Sequence, residues 1–83
     1  MPYERLKLAH KKTVGAKQTL KACQRGSALE VYIASDAETY VTAPILKICS
    51  ENNIPVVKVD SMRELGKVCG IEVSCAAAAI IKG

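Results

Sequence analysis

The chain has 83 residues, of which 49% are hydrophobic and 24% are charged, and its formal net charge is +4. This length gives room for one small domain and excludes a multidomain enzyme, while the composition excludes disordered and collagen-like chains. We therefore expect a single domain over residues 1–83 whose core, with three tyrosines as the only aromatic residues, consists of small and aliphatic side chains.

Hydrophobic periodicity and turn residues divide the chain into alternating helices and strands. In chain order the pattern predicts a helix over residues 3–11, an extended piece over 12–14, a helix over 16–25, a strand over 29–34, a helix over 40–52, a strand over 56–59, a helix from a capping box at Ser61 and Glu64 to residue 69, a loop over 70–73 and a strand over 74–81. Alternating helices and strands favour a three-layer α/β/α sandwich, here with a central mixed sheet of about four strands.

Two of these elements are locally ambiguous. Pro44 fits a helix only within its first turn, where Asp36 and Thr39 are the candidate caps. The alanine run over residues 76–79 has low strand propensity, so a helix is the alternative there. As a strand, the run would be small on both faces and would let helices approach the sheet from both sides.

The sequence shows neither a membrane segment nor a metal-binding pattern. Its longest apolar run, residues 73–81, is well short of the roughly twenty residues that cross a bilayer, and the N-terminus lacks the pattern of a signal peptide. We therefore expect a cytoplasmic protein with no membrane partner. The four cysteines never occur as Cys-x-x-Cys and His10 is the single histidine, so we expect no metal, no cofactor, and buried reduced thiols.

The positive charge is concentrated at the N-terminal end. Residues 1–25 hold seven basic residues against one acidic residue, whereas acidic residues outnumber basic ones in the remainder. Such asymmetry is typical of proteins that bind a polyanion, of which nucleic acid is the first candidate. A basic face that only keeps the protein in solution explains the charge equally well. The two alternatives are therefore distinguished by the local arrangement of the basic side chains and not by net charge.

The helix predicted over residues 16–25 separates apolar from polar side chains. Lys17 and Lys21 lie one turn apart on the polar face, where they repel each other and oppose the helix dipole. An anion bound at the backbone N–H groups that follow Gly15 makes both features favourable. Gln18 adds an amide that can donate to and accept from a base edge. The pattern favours binding of nucleic-acid phosphates and bases.

The predicted loop over residues 70–73 carries apolar side chains. Gly70 ends the preceding helix, and Ile71 and Val73 follow it. Apolar side chains on a loop can pack against a base, and the alternative is that both lie in the core. Gly66 is interpreted as a packing residue, because the Lys-Ser or Lys-Thr ending of a phosphate-binding loop is missing.

Two segments carry a resemblance to a known family: residues 15–21, GAKQTLK, and residues 65–73, LGKVCGIEV. Over nearly its whole length the chain resembles the short bacterial branch of the L7Ae and L30e superfamily of ribosomal proteins and kink-turn RNA binders. The resemblance implies an RNA-binding protein that recognises a kink-turn, a sharply bent duplex with tandem sheared G·A pairs beside a three-nucleotide bulge.

The resemblance also implies which residues contact the RNA. In such proteins the start of the glycine-led helix enters the groove at the bend, and the loop before the last strand covers the flipped-out nucleotide. The archaeal and eukaryotic pattern has Asn and Glu where this chain has Lys17 and Gln18, so base contacts of that branch do not transfer directly. The candidate RNA-binding residues are Gly15, Ala16, Lys17, Gln18 and Lys21 at the helix and Ile71, Glu72 and Val73 in the loop.

Two other functions stay open at this level. One is a ribosome-associated protein–protein scaffold without kink-turn preference, and the other is the substrate-binding domain of an RNA-modifying enzyme. Neither a Ser/His/Asp nor a Cys/His set is evident, so the chain itself is not expected to be an enzyme. We expect a monomer that binds RNA, with the ribosome as a candidate partner.

Overall fold

The structure, a computed structural model, describes residues 3–82. Met1, Pro2 and Gly83 of the expected domain lie outside this range. The elements are α1 (Glu4–Leu8), β1 (Lys12–Val14), α2 (Ala16–Gln24), β2 (Ala28–Ala34), α3 (Thr39–Glu51), β3 (Val56–Val59), α4 (Met62–Val68) and β4 (Ala77–Ile81). Within residues 3–82, no helix has the length and apolar character needed to cross a membrane.

The four strands form one mixed sheet in the order β1-β4-β2-β3. Strand β4 lies antiparallel to both β1 and β2, and β2 lies parallel to β3. Helices α2 and α3 contribute to the apolar cluster on one face of the sheet, and α1 and α4 contribute to the cluster on the other. The predicted three-layer sandwich with a four-stranded mixed sheet is therefore confirmed.

The alanine run is a strand at the centre of the sheet. Ala77, Ala78 and Ala79 are fully buried, and β4 is paired along both edges. Ala77 and Ala79 face α2 and α3, whereas Ala78 faces α1 and α4. The helical alternative is wrong, because the two neighbouring strands satisfy the backbone of this segment and small side chains let both helix layers pack closely.

Two predicted boundaries differ from the structure by three residues each, and the others differ by at most one. The first helix ends at Leu8 rather than at Lys11. The last strand begins at Ala77 rather than at Ser74, because the Cys75 N–H donates to the Met62 carbonyl in α4, 3.0 Å away, and not to a neighbouring strand. The segment before β4 is therefore part of a long loop that is anchored on α4.

The start of α3 corrects the predictions about caps and proline. Glu38 is the N-cap and makes no side-chain cap bond, and Pro44 lies in the second turn. Its missing N–H would have bonded to the Tyr40 carbonyl, but both residues are exposed, so water can hydrate that carbonyl. Asp36 instead accepts a hydrogen bond from the Met62 N–H (2.8 Å), so it caps α4.

A buried carboxylate, which no pattern in the sequence signals, joins α1 to the sheet. Glu30 is only 8% exposed, and it accepts a hydrogen bond from the Tyr32 hydroxyl. Arg5 in α1 approaches the other carboxylate oxygen at 3.2 Å. Burial, together with this bond to Glu30, raises the pKa of Tyr32, so the hydroxyl stays a donor.

Candidate functional site

The two predicted parts of the site meet at one edge of the sheet. Strand β1 ends at this edge and turns into α2, and the loop between α4 and β4 enters the sheet beside it. The Ala77 carbonyl accepts hydrogen bonds from the Gly15 N–H (2.8 Å) and from the Cys75 thiol (2.9 Å). The start of α2 and the end of the loop are thus joined through a single buried backbone group.

The start of α2 is an uncapped helix N-terminus. Gly15 is the N-cap with φ of 99° and ψ of 154°, a conformation that side-chain-bearing residues rarely adopt, and it supplies no side-chain cap. The first intrahelical bond runs from the Thr19 N–H to the Gly15 carbonyl at 3.1 Å. The N–H groups of residues 16–18 consequently have no partner within the helix, as at any helix start. They form an array of donors for an anion.

Gln18 is held against the turn that leads into α2. Its Oε1 accepts a hydrogen bond from the Val14 N–H at 3.4 Å, and its side chain is exposed. This contact leaves the amide N–H₂ group as a donor at the protein surface. The bond orients the amide in the free protein, and the role of Gln18 as a polar reader stays a prediction.

The cations of α2 lie in solvent. Lys17, Lys21 and Arg25 are exposed. Within residues 3–82 the ion pairs are Arg5–Glu30 and Lys67–Glu64, so none of these three cations is matched by a carboxylate there. The surface of α2 consequently presents unneutralised positive charge next to the free backbone donors.

The opposite face of α2 is anchored. Thr19 is fully buried, and its hydroxyl lies 2.9 Å from the hydroxyl of Thr13 in β1. Cys23 and Ala22 are buried in the cluster beneath α2. The separation of faces predicted from helical periodicity is confirmed, and the anchoring holds the cations on a rigid element.

A surface cleft runs along the flank of α2. It has a volume of about 200 Å³, and Gln18, Lys21 and Arg25 contribute its α2 wall. Ser27 and Ile81, which lie outside α2, also line it. The polar face of α2 therefore borders a groove that carries two cations, Lys21 and Arg25. The sequence does not signal this groove, because Ser27 and Ile81 are distant from the motif in sequence.

The loop between α4 and β4 lies directly on the backbone of α4. A Cβ atom at Gly66 would come within 2.2 Å of the Val73 carbonyl oxygen, so no other residue fits there without a shift of the loop. The Ile71 N–H donates to the Gly66 carbonyl at 3.0 Å. Gly66 is therefore a packing residue, as its position in the sequence indicated, and the partner that it packs against is the loop.

The loop places its three predicted site residues differently. Val73 is 70% exposed and Glu72 is exposed. Ile71 is half-buried and packs against the cluster that contains α1 and α4. The alternative in which both apolar residues lie in the core is wrong for Val73 and partly right for Ile71. Val73 is the apolar side chain that the loop offers to a partner.

Cys75 lies beneath this edge, where the sequence predicts only a buried, reduced thiol. It is 3% exposed. The neighbouring Cys69 thiol lowers the pKa of Cys75, whereas burial raises it. Within residues 3–82, no group of three or more His, Cys, Asp or Glu side chains could hold a metal ion.

Comparison with known proteins gives concordant matches. A profile described as the ribosomal protein L7Ae/L30e/S12e/Gadd45 family matches residues 3–83. An RNA-binding protein of Geobacillus sp. strain WCH70 is 48% identical over 82 residues, which are 99% of this chain and 100% of the relative. An RNA-binding protein of Caldanaerobacter subterraneus is 49% identical over 73 residues, 88% of this chain and 89% of the relative.

A solved structure gives a similar result. The 15.5kD RNA binding protein of Giardia lamblia superposes with a TM-score of 0.80 at 32% identity. The match covers 87% of this chain and 61% of that protein. The similarity therefore extends over most of the fold described above.

Proposed function

Because the chain belongs to the ribosomal protein L7Ae/L30e/S12e/Gadd45 family, we propose that it is an RNA-binding protein that recognises kink-turns. The proposed contacts are the start of α2, with Gly15, Ala16, Lys17, Gln18 and Lys21, and the loop residues Ile71, Glu72 and Val73. The relatives named above as RNA-binding proteins support the general function. The local geometry supports the finer one.

The observation that carries the proposal is the juxtaposition of two complementary surfaces at one edge. Uncapped N–H groups and unpaired cations lie on α2, and an exposed apolar side chain lies on the adjoining loop. A regular duplex presents phosphates but no accessible base face. A sharply bent RNA with an unstacked nucleotide presents both, and single unstacked bases are what proteins recognise in structured RNA.

Gln18 supplies the means of discriminating paired bases. Its amide oxygen accepts from the Val14 N–H, and its N–H₂ group can donate to base edges exposed where non-canonical pairs open the groove. Lys17 and Lys21 then neutralise phosphates on either side, a contribution that weakens as salt rises. Arg25 extends this positive surface along the cleft beside α2.

The proposed cellular role follows from the same surfaces. The protein acts as a monomeric RNA-binding domain in the cytoplasm, without catalysis of its own, and its targets are structured RNAs. Association with the ribosome is an extension of this proposal, for which sedimentation with ribosomal subunits at two salt concentrations is the test. A scaffold without RNA preference would have no use for uncapped donors and a fixed amide in one place.

A direct affinity comparison tests the proposal. Calorimetry is carried out with a kink-turn RNA and with the same duplex in which the tandem G·A pairs are replaced by Watson–Crick pairs. We expect the kink-turn to bind at least tens of times more tightly, which is about 2 kcal/mol or more. Equal affinities for the two RNAs at matched salt would leave only non-specific phosphate binding and would reject kink-turn recognition.

A further inference from the structure

The cleft along the flank of α2 leads away from the edge that carries the proposed contacts. Its lining residues on α2, spaced as i, i+3, i+4 and i+7, lie on one face of the helix: Gln18, Lys21, Ala22 and Arg25. The other lining residues lie outside the helix: Thr13 in β1, Ile81 at the end of β4, and Ser27. Ala77, at the edge, and Ile81 are the two ends of β4, which are about 13 Å apart. The cleft therefore runs from the start of α2 toward the opposite end of the sheet.

The hydroxyl groups of the cleft are already hydrogen-bonded within the protein. The Thr13 hydroxyl lies 2.9 Å from the Thr19 hydroxyl, and the Ser27 hydroxyl donates to the Ala22 carbonyl at 3.2 Å. The Ser27 carbonyl accepts a hydrogen bond from the Lys82 N–H at 2.9 Å, which ties the far end of the cleft to the residue after β4. The polar groups left for a ligand are therefore those of α2.

These remaining polar groups are all donors. Gln18 accepts from the Val14 N–H through its Oε1, which leaves its N–H₂ group free to donate. Lys21 and Arg25 are exposed, and neither belongs to the two ion pairs found within residues 3–82. Among the same residues, no acidic side chain lines the cleft. Two cations and an amide donor without a carboxylate are complementary to an anion that has several acceptor oxygens.

We propose that the cleft binds a phosphate group between Lys21 and Arg25. The two residues are one helical turn apart, about 6 Å along the axis of α2, so both long side chains can reach one tetrahedral anion. Arg25 supplies paired N–H donors that match two phosphate oxygens, and Lys21 supplies a compact charge. The apolar side chains of Ala22 and Ile81 beside them reduce hydration of the site, which strengthens the attraction.

Two sources can supply the phosphate group. One is the backbone of an RNA strand that follows α2 away from the bend, and the other is a small phosphorylated molecule. The site is independent of kink-turn recognition, because every RNA duplex carries phosphates. It is also distinct from the start of α2, where the N–H groups of residues 16–18 offer an alternative position for an anion.

Titration of isotope-labelled protein with inorganic phosphate, followed by NMR, tests the site. Each addition is matched by sodium chloride at the same ionic strength, because screening of surface charges also shifts resonances. We expect saturable changes at the side-chain N–H groups of Gln18 and Arg25 and at the backbone amides of residues 21–27, with none in chloride. Changes that do not saturate, or that chloride reproduces, would overturn the proposal. Changes confined to the amides of residues 15–18 would also overturn it, because they would place the anion at the start of the helix.

Variants that remove one charge identify the side chains involved. Arg25→Gln and Lys21→Gln are each expected to weaken phosphate binding about fivefold, and the double variant is expected to show no saturation. Both side chains are exposed, so Tm should stay unchanged. Lys47→Gln is the matched control, because it removes an exposed lysine of α3 and should leave phosphate binding intact. Equal losses in Lys47→Gln and Arg25→Gln would overturn the proposal, since net charge and not the cleft would then explain the binding.

Competition distinguishes the two sources of phosphate. The phosphate-loaded protein is titrated with the kink-turn RNA and with the Watson–Crick duplex described above. Displacement of phosphate by RNA, together with a salt slope of RNA affinity that falls by about one in Arg25→Gln, assigns the cleft to the RNA backbone. Simultaneous binding of RNA and phosphate assigns it to a small phosphorylated molecule. Equal displacement by the two RNAs would reject kink-turn recognition and leave the phosphate site standing.

Discussion

Replacing Gly66 by alanine tests whether the backbone of α4 positions the loop. The added Cβ would lie 2.2 Å from the Val73 carbonyl oxygen, whereas ordinary contact begins at 3.4 Å, so the loop backbone must move by about 1.2 Å. The clashing atom belongs to the backbone and cannot rotate away. The loop is also held by the bond from the Ile71 N–H to the Gly66 carbonyl, which such a shift would weaken.

The magnitude follows from three contributions. Overpacking of this kind costs about 2 kcal/mol, and the weakened loop hydrogen bond costs about 1 kcal/mol. Alanine in place of glycine inside a helix returns about 1 kcal/mol. The net loss of unfolding free energy is therefore about 2 kcal/mol, which in a domain of this size lowers Tm by roughly 8–16 °C.

Calorimetric unfolding and RNA titration measure the two consequences of Gly66→Ala. We expect the lower Tm together with at least a tenfold loss of affinity for a kink-turn, because the loop moves away from the start of α2. Ile45→Val is the matched control: it removes one methyl group from the core beneath α3, at a cost of about 1 kcal/mol, without touching the loop. An unchanged Tm and unchanged affinity in Gly66→Ala would refute the positioning role.

Three further substitutions test separate parts of the account. Lys21→Ala is expected to weaken kink-turn binding by roughly 1–3 kcal/mol with Tm unchanged. The control is Lys47→Ala, which removes an exposed lysine of α3 and should leave the RNA affinity intact. Equal losses of affinity in the two variants, measured by calorimetry, would contradict the placement of the RNA-binding site on α2. Val73→Asp should reduce affinity by about 1–2 kcal/mol without loss of stability, because Val73 is exposed in the free protein, and unaltered RNA binding would exclude the loop contact. Glu30→Ala should lower the unfolding free energy by about 1–3 kcal/mol in chemical denaturation, because the buried Tyr32 hydroxyl loses its acceptor, while RNA affinity stays constant.

The order of helices and strands could be predicted from the sequence because each element has its own hydrophobic periodicity. The alternation of helices and strands predicted the layers. The small volume of the alanines at 76–79 favoured a strand that is approached from both faces, although their low strand propensity left a helix as the alternative. The conformation of the end of the loop, residues 74–76, could not be predicted from the sequence. Its conformation depends on the bond between Cys75 and Met62, and no local propensity reports a bond between distant elements.

The caps show the same limit. Asp36 is of a residue type that often caps helices, and it lies shortly before α3. Its carboxylate nevertheless accepts a hydrogen bond from the Met62 N–H at the start of α4. A capping residue needs only a free N–H within reach, and the fold decides which helix supplies it. The position of Pro44 in the helix does not by itself predict whether it is tolerated, because the exposure of Tyr40 determines whether water reaches the carbonyl that has lost its N–H partner.

The candidate site was predictable in part for related reasons. The faces of α2 follow from a period of 3.6 residues, so the exposure of Lys17 and Lys21 could be inferred. The different environments of Ile71 and Val73 could not, because they depend on the path of the loop over Gly66.

The central claim is that the start of α2 and the adjoining loop together bind bent RNA. The most direct measurement is a titration of isotope-labelled protein with a kink-turn RNA, followed by NMR at each backbone amide. The account predicts the largest chemical-shift changes at residues 15–18 and 71–73, with small changes along β3 and the outer face of α3. Changes concentrated on β3 and α3, with the amides of residues 15–18 unaffected, would contradict it.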